Sequence, residues 1–174
     1  MESKAETRKK IINFLIKLSK DDKDSQTKHI TSSLVSSDNW KNSEVVGLYM
    51  PTTIEFDLVA LYKIAEEEGK KILIPKCLPN RKMIFAPYVT NELKKSKFGI
   101  MEPTNLTEVT PDYILVPGLA WNSDGYRIGF GGGYYDRYLK NFEGKTASVF
   151  YDIQSVEFEP ESHDIMVQER FTKK

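Results

Sequence analysis

Thirteen residues, Arg127 to Leu139, carry most of the chemistry available to this chain. They hold four glycines, two arginines, three tyrosines and one carboxylate, and they follow an apolar run that reads as a strand. Glycines this close together let the backbone turn tightly and bring its N–H groups against an anion with no Cβ in the way. Arg127 and Arg137 supply fixed positive charge, and Asp136 is the kind of oxygen donor that holds magnesium. The local chemistry is that of a loop receiving the phosphates of a nucleotide. The competing reading is a structural turn with close backbone packing.

Known phosphate loops do not account for it. No Lys-Ser or Lys-Thr follows Gly133, so it is not a Walker A loop. Counting from Gly129, the final glycine of a dinucleotide fingerprint would fall on Tyr134, and the loop lies late rather than in a first strand–helix unit. Lys4 and Arg8 stand four apart, so one helix face presents two cations, which taken alone read as solvated surface. Glu55 follows Pro51 beyond a strand end, where α/β sheets bind ligands, although a loop carboxylate there commonly faces solvent. His163-Asp164 could form a ligand pair, but two histidines in the chain are too few for a histidine-rich metal site. Cys77, with only Lys76 as a nearby cation, reads as a buried, inert thiol. The chain has no G-x-S-x-G elbow and no Cys-x-x-Cys pair.

The scaffold that must carry these residues is one domain over residues 1–174, long enough to bury a core. Hydrophobic residues make up 40% and charged residues 29%, with zero net charge. That balance argues against disorder and removes the electrostatic case for a nucleic-acid partner. A single cysteine excludes an intrachain disulfide. The charged stretch Glu2 to Lys10 is no secretory signal, and no apolar run approaches a membrane span. The expectation is a cytoplasmic protein with neither nucleic-acid nor membrane partners. Ser3 and Glu6 form a capping box for a helix reaching about Leu18, with Ile11, Leu15 and Leu18 on one face. Asp21, Asp22 and Asp24 break that pattern before a second helix carrying Ile30 and Leu34. Strands are expected at Val45–Met50, Lys71–Pro75, Met83–Phe85, Tyr113–Val116 and Ala147–Tyr151. Helices are expected after Asp57, with Leu58, Leu61, Ile64 and Ala65 inward, and from about Tyr134 to Phe142. Between Pro87 and Pro111 the pattern is weakest. The alternation of strands and helices predicts a layered α/β sheet with helices on both faces.

The segment Pro117 to Trp121, continued by Gly125 to Leu139, closely resembles the signature of the 5-formyltetrahydrofolate cyclo-ligase family, also called methenyltetrahydrofolate synthetase. Lys4 and Arg8 are similar to the basic pair of the family's first helix, and Leu48-Tyr49-Met50-Pro51 with Glu55 to its first-strand substrate segment. Phe98-Gly99-Ile100, Glu102-Pro103 and Glu161 to Asp164 resemble weaker landmarks. The resemblance spans the chain; only the glycine block is highly specific.

The resemblance implies an α/β fold, a three-layer α/β/α sandwich with a mostly parallel sheet, like that of sugar-phosphate isomerases and CoA transferases. It implies ATP- and magnesium-dependent closure of 5-formyltetrahydrofolate to 5,10-methenyltetrahydrofolate, releasing ADP and phosphate. It assigns ATP to Lys4, Ala5, Glu6, Thr7 and Arg8, and to Arg127, Ile128, Gly129, Phe130, Gly131, Gly132, Gly133, Tyr134 and Tyr135. Folate falls to Met50, Glu55, Phe130, Gly131, Gly132, Gly133 and Tyr134. Arg127 and Asp136 become catalytic, and Asp136 and Asp164 the magnesium carboxylates. Phe98 either stacks on the pterin or benzoyl ring or packs in the core. Human-type members carry basic residues where this chain has Phe130 and Gly132, which leaves more work to backbone amides and Arg127. The partners implied are small molecules, with a monomer expected and a dimer as the alternative. Two rivals stay open: a sugar-phosphate or CoA-ester enzyme on the same fold, and a non-catalytic folate-binding module.

Overall fold

Serines set where the first three helices begin in the computed structural model, which describes residues 2–173. Ser3 Oγ accepts from the Glu6 amide at 3.1 Å and opens α1, Lys4–Lys17. The expected capping box is half formed, because the Glu6 carboxylate accepts from the Ser3 hydroxyl at 3.0 Å instead of from the Ser3 amide. Ser19 Oγ caps α2, Lys20–Val35, through the Asp22 amide. The break therefore falls at Leu18–Ser19. Asp21 and Asp22 sit in the first turn of α2, where the helix dipole favours negative charge, and do not form a linker. Ser37 caps a short α3, Asp38–Lys41, that buries Trp40 and that the apolar pattern does not reveal.

Strands β1 (Val45–Gly47), β2 (Lys71–Cys77) and β3 (Met83–Pro87) flank α4 (Val59–Glu67) in the chain. The short β4 (Leu93–Lys95) and β5 (Met101–Pro103) follow, then β6 (Tyr113–Leu115), β7 (Ala120–Trp121) and β8 (Arg127–Ile128). Helix α5 (Tyr134–Leu139), β9 (Lys145–Val149) and β10 (Glu169–Phe171) complete the order. Six strands form one sheet in the order β10-β9-β6-β1-β2-β3, parallel except where β3 pairs antiparallel with β2. Successive side chains alternate across it. Val46, Tyr113, Leu115, Ala147 and Val149 join Ile11, Leu15, Ile30, Leu34, Leu61 and Ala65 of the helices on one face. Ile114, Val116 and Phe150 join Leu139 of α5 on the other. Each such buried side chain contributes roughly 1.5–3 kcal/mol, so the core can carry polar groups elsewhere. The three-layer expectation holds, although α5 alone forms the second helical layer.

The differences from expectation are local. Strand β1 stops at Gly47, since beyond it only Leu48 still donates to the sheet, to Leu73 O at 2.9 Å. Helix α5 ends at Leu139, short of Phe142. The stretch after Pro87 contains the β4–β5 hairpin, hidden from pattern reading because Lys94 and Lys95 are exposed and Leu93 only half-buried. It is pinned to β2 by Lys76, whose Nζ donates to Pro103 O at 2.9 Å and lies 3.6 Å from Glu102. A β7–β8 hairpin separates β6 from the glycine loop, which therefore does not follow the strand directly. Among the described residues no helix is long and apolar enough to cross a membrane.

Two connections decide where a ligand can bind. The chain runs outward from β1 to β2 and β3 on one side, then returns to β6 on the other. At such a switch point the connections leave the adjacent strands β1 and β6 in opposite directions and open a crevice at their carboxyl ends. The β7–β8 turn then clamps the C-terminal segment. Asn122 Oδ1 accepts from the Asp124 and Tyr126 amides, Gly125 takes φ +96°, and Val167 N donates to Gly125 O at 2.9 Å. A Cβ on Gly125 would lie 2.5 Å from Val167 O. Gly125→Ala is expected to lower unfolding stability by roughly 1–3 kcal/mol in urea titration, through both the backbone conformation and this collision. An unchanged midpoint would mean that the clamp is dispensable.

Candidate active site

A cavity of about 510 Å³ opens at the carboxyl ends of β1, β2 and β6, within the usual size of small-molecule sites. The first turns of α1, the segment from Tyr49 to Glu55, Pro75 and Cys77 of β2, the β4–β5 hairpin, the glycine loop and the His163–Asp164 turn form its walls.

Arg127 is the most constrained residue in it. The side chain runs from β8 through a slot between two glycines, where a Cβ on Gly118 would lie 3.3 Å from Cδ and one on Gly129 only 2.6 Å from Nη1. The residue is 7% exposed, and its Nε is buried without a partner. Its nearest carboxylate, Asp136 Oδ1, lies 3.7 Å from Nη2, too far for a good hydrogen bond. Burial lowers its pKa from the ordinary arginine value, while Asp136, Tyr135 and Asp164 pull it upward. A guanidinium stays charged regardless. A buried cation with open donors is costly until an anion completes it.

The glycine loop presents donors to the same space. Arg8 Nε donates to Gly129 O at 2.8 Å and Arg81 Nη1 to Gly132 O at 2.9 Å. Carbonyls are thus tied to cations, while among the described residues the amides of Phe130 to Gly133 have no acceptor. Free N–H groups beside a buried guanidinium make an anion receptor. Gly131 and Gly133 adopt φ +102° and +72°, which residues with a Cβ resist.

Lys4, Arg8, Ile11 and Leu15 form one stripe of α1. Ile11 and Leu15 enter the core, and the cationic end of the stripe overhangs the cavity. Lys4 Nζ lies 2.8 Å from Glu161 and 3.4 Å from Asp164 Oδ2, and it holds the Glu161 carboxyl below its ordinary pKa. Asp164 Oδ2 also accepts from the Glu161 amide at 2.9 Å, and Asp136 Oδ1 from the Ile165 amide at 3.3 Å. Asp136 is thereby tied to the residue that follows Asp164.

Met50, Pro75, Met83, Phe98 and Ile100 give the same cavity an apolar part of its wall, and Glu55 and Glu102 line it as well. Glu55 is buried, accepts from the Thr52 amide at 2.9 Å, and has its pKa raised by burial against the lowering effect of that bond. The Tyr135 hydroxyl, near enough to feel the charges of both Arg127 and Glu55, is buried and without a partner. Burial drives its pKa well above the ordinary tyrosine value, so it remains a donor.

A profile of the 5-formyltetrahydrofolate cyclo-ligase family matches residues 1–173. The chain belongs to that family of enzymes. It is 34% identical over 131 residues to a Schizosaccharomyces pombe protein named a probable 5-formyltetrahydrofolate cyclo-ligase, covering 69% of this chain and 63% of that one. It is 31% identical to the 5-formyltetrahydrofolate cyclo-ligase of Haemophilus influenzae, covering 71% and 72%. The solution structure of an Aquifex aeolicus 5,10-methenyltetrahydrofolate synthetase superposes with a TM-score of 0.84 at 36% identity, covering 98% of this chain and 90% of that one.

With the family known, the residues assigned from sequence can be located. Lys4, Arg8, Met50, Glu55, the run Arg127 to Asp136 and Asp164 all line one cavity. Ala5 and Glu6 are exposed and Thr7 is buried in α1, and none of the three reaches the cavity wall. Lys4 and Arg8 are not idle surface charges, and Glu55 does not face solvent. Cys77 is half-buried and on the cavity wall, not enclosed, and burial raises its thiol pKa, which disfavours the thiolate. Phe98 is 55% exposed with its ring edge-on to Tyr134 at 6.4 Å, which excludes the core-packing alternative. His163 stays exposed. Sequence reasoning missed Thr52 and Arg81, and it gave Tyr135 to ATP without singling out its hydroxyl. The one available signal was the pairing of Asn80-Arg81 with Pro79, a turn pattern at the strand ends.

Glu55 allows a test of strain at the site. A carboxyl whose pKa is raised by folding binds its proton more tightly in the folded state, so stability falls as pH rises from the ordinary value of 4.5 through the raised one. Glu55→Gln should therefore be more stable than the wild type at pH 7, with the gain vanishing as the pH falls below about 4. Thermal melts across that range check it. A gain independent of pH would point away from the ionised carboxylate.

Proposed function

We propose that this chain closes 5-formyltetrahydrofolate to 5,10-methenyltetrahydrofolate at the expense of ATP, releasing ADP and phosphate. The observation that carries the reading is Arg127: a buried guanidinium with open donors, set beside four free loop amides and one cavity away from a buried carboxylate. The cationic part of the cavity wall suits a polyphosphate. The apolar part suits a flat heteroaromatic ring whose N–H donors find Glu55.

The chemistry needs little beyond alignment. A formamide carbonyl is a poor electrophile and its oxygen a poor leaving group. Transfer of the γ-phosphoryl to the formyl oxygen, with ADP leaving, gives an iminium-like carbon. The folate's N10 then attacks that carbon and loses its proton, and phosphate departs with the oxygen and the C–O bonding pair. No covalent enzyme nucleophile is required. The protein's part is to hold the formyl oxygen in line with the γ-phosphorus and to neutralise charge on the transferring group. Arg127 and the loop amides serve the second task, with Lys4 and Arg8 at the rim. The Tyr135 hydroxyl, lacking a partner, donates to an oxygen of the reacting pair.

Asp136 and Asp164 fit a magnesium ion shared with ATP. Both line the cavity, His163 stands 3.5 Å from Asp164, and among the described residues no three His, Cys, Asp or Glu are grouped so as to hold a metal ion by themselves. That deficit suits magnesium, which keeps few protein ligands and completes its shell with phosphate oxygens and water. When bound there, it would offset the charge of the phosphates.

Arg127→Ala and Asp136→Ala are each expected to lower turnover at least about a hundredfold, followed as methenyl absorbance on adding ATP to 5-formyltetrahydrofolate. Near-normal turnover in either variant removes that residue from the mechanism, and absorbance that does not rise with the wild type refutes the activity. Tyr135→Phe should reduce kcat by about tenfold with little change in either KM, the expected scale for one neutral donor. An unaltered kcat would leave that hydroxyl without a catalytic part.

A further inference from the structure

The glycine loop is gripped a second time from outside the cavity wall. The turn between β2 and β3 holds Asn80 at φ 65° and Arg81 at φ 58°, the two non-glycine residues with positive φ among those described. Left-handed backbone is unfavourable for residues with a Cβ, and two in succession persist only where the surroundings enforce them. From this turn Arg81 Nη1 donates to Gly132 O at 2.9 Å. Arg137 Nη1 reaches Asn80 O at 3.5 Å, so α5 braces the same turn from the opposite side.

A trans peptide unit is planar, and its C=O points opposite to the N–H that follows. The Gly132–Gly133 unit lies between two residues without Cβ atoms, so it can rotate by half a turn against little steric resistance. Its direction is set by whatever holds its oxygen. Gly132 and Gly133 line the cavity, whereas Arg81 does not. Holding Gly132 O toward Arg81 therefore turns the Gly133 N–H toward the cavity.

We infer that Arg81 is a positioning residue for the nucleotide: it keeps the Gly132–Gly133 peptide turned so that an N–H, not a carbonyl oxygen, meets the triphosphate. The inference rests on the reading of the loop as an ATP site. Without Arg81 the peptide is free to turn its oxygen inward, replacing a donor by a repelling dipole. The role is distinct from direct charge neutralisation, because it acts through a backbone group and requires only one donated hydrogen bond.

The test compares wild type, Arg81→Ala and Arg81→Lys by calorimetric titration with magnesium-ATP and by steady-state kinetics. Arg81→Ala should weaken ATP binding and raise the ATP KM by about tenfold, the scale of one charge-assisted hydrogen bond. The KM for 5-formyltetrahydrofolate and the melting temperature should stay as in the wild type. Arg81→Lys, which can donate the same single bond, should recover most of the loss. Equal ATP affinity in wild type and Arg81→Ala overturns the inference, as does a parallel rise in the folate KM or a lysine variant no better than alanine. Should Arg81→Ala not fold, Arg81→Met takes its place, keeping the stem and losing the donors. A wild type that binds no ATP would instead refute the underlying reading of the loop.

Discussion

A guanidinium taken out of water and left without a hydrogen-bonded partner governs this structure. Arg127 reaches its position only because Gly118 and Gly129 leave a slot for its stem and head. Burial of that charge is unfavourable by itself, and Asp136 at 3.7 Å offsets only part of the cost. The rest of the site is arranged around this imbalance. The loop turns its carbonyls to Arg8 and Arg81 and leaves its amides free, which adds to the positive potential instead of relieving it. Such a centre is poised for a multiply charged anion, and its strain is borne by a core of ordinary apolar strands and helices.

The polarity of the cavity follows from where each wall originates. Lys4 and Arg8 come from the start of α1 and Arg127 from β8, the turn at Asp164 adds an acid, and β2 and the β4–β5 hairpin add apolar side chains. Among the described residues Glu55 is the one acid buried as a whole residue. The proposed reaction would use such a mixed wall, since a polyphosphate and a heteroaromatic ring want opposite surroundings and must still touch. The Tyr135 hydroxyl is left unpartnered.

Long-range contacts fix the register of these walls. The Gly125 turn clamps Val167, which sets where Asp164 stands against Lys4; the pairing of Lys4 with Glu161 and Asp164 then ties α1 to the same turn. On the other flank the Asn80–Arg81 turn and Arg137 enclose the loop from outside. The loop is rich in glycine, and two arginines from two different elements, Arg8 and Arg81, each hold one of its carbonyls.

Local pattern carried much of this. The alternating strands, the helix-starting Ser3, the clustered glycines and the apolar face Ile11-Leu15-Leu18 are all legible in the sequence, because each depends on neighbours within a few residues. The glycine cluster with Arg127 and Asp136 also pointed to phosphate chemistry without any fold. Sequence could not say that Lys4 and Arg8 overhang a cavity, since a pair of cations four apart looks the same on a solvated face. Nor could it show that Glu55 is buried, that Phe98 is not, or that Arg81 grips Gly132. The β4–β5 hairpin escaped because its outward lysines mask the alternation. Those features depend on which segments the sheet order brings together across tens of residues, and burial, pairing and peptide direction are properties of that meeting, not of either segment alone.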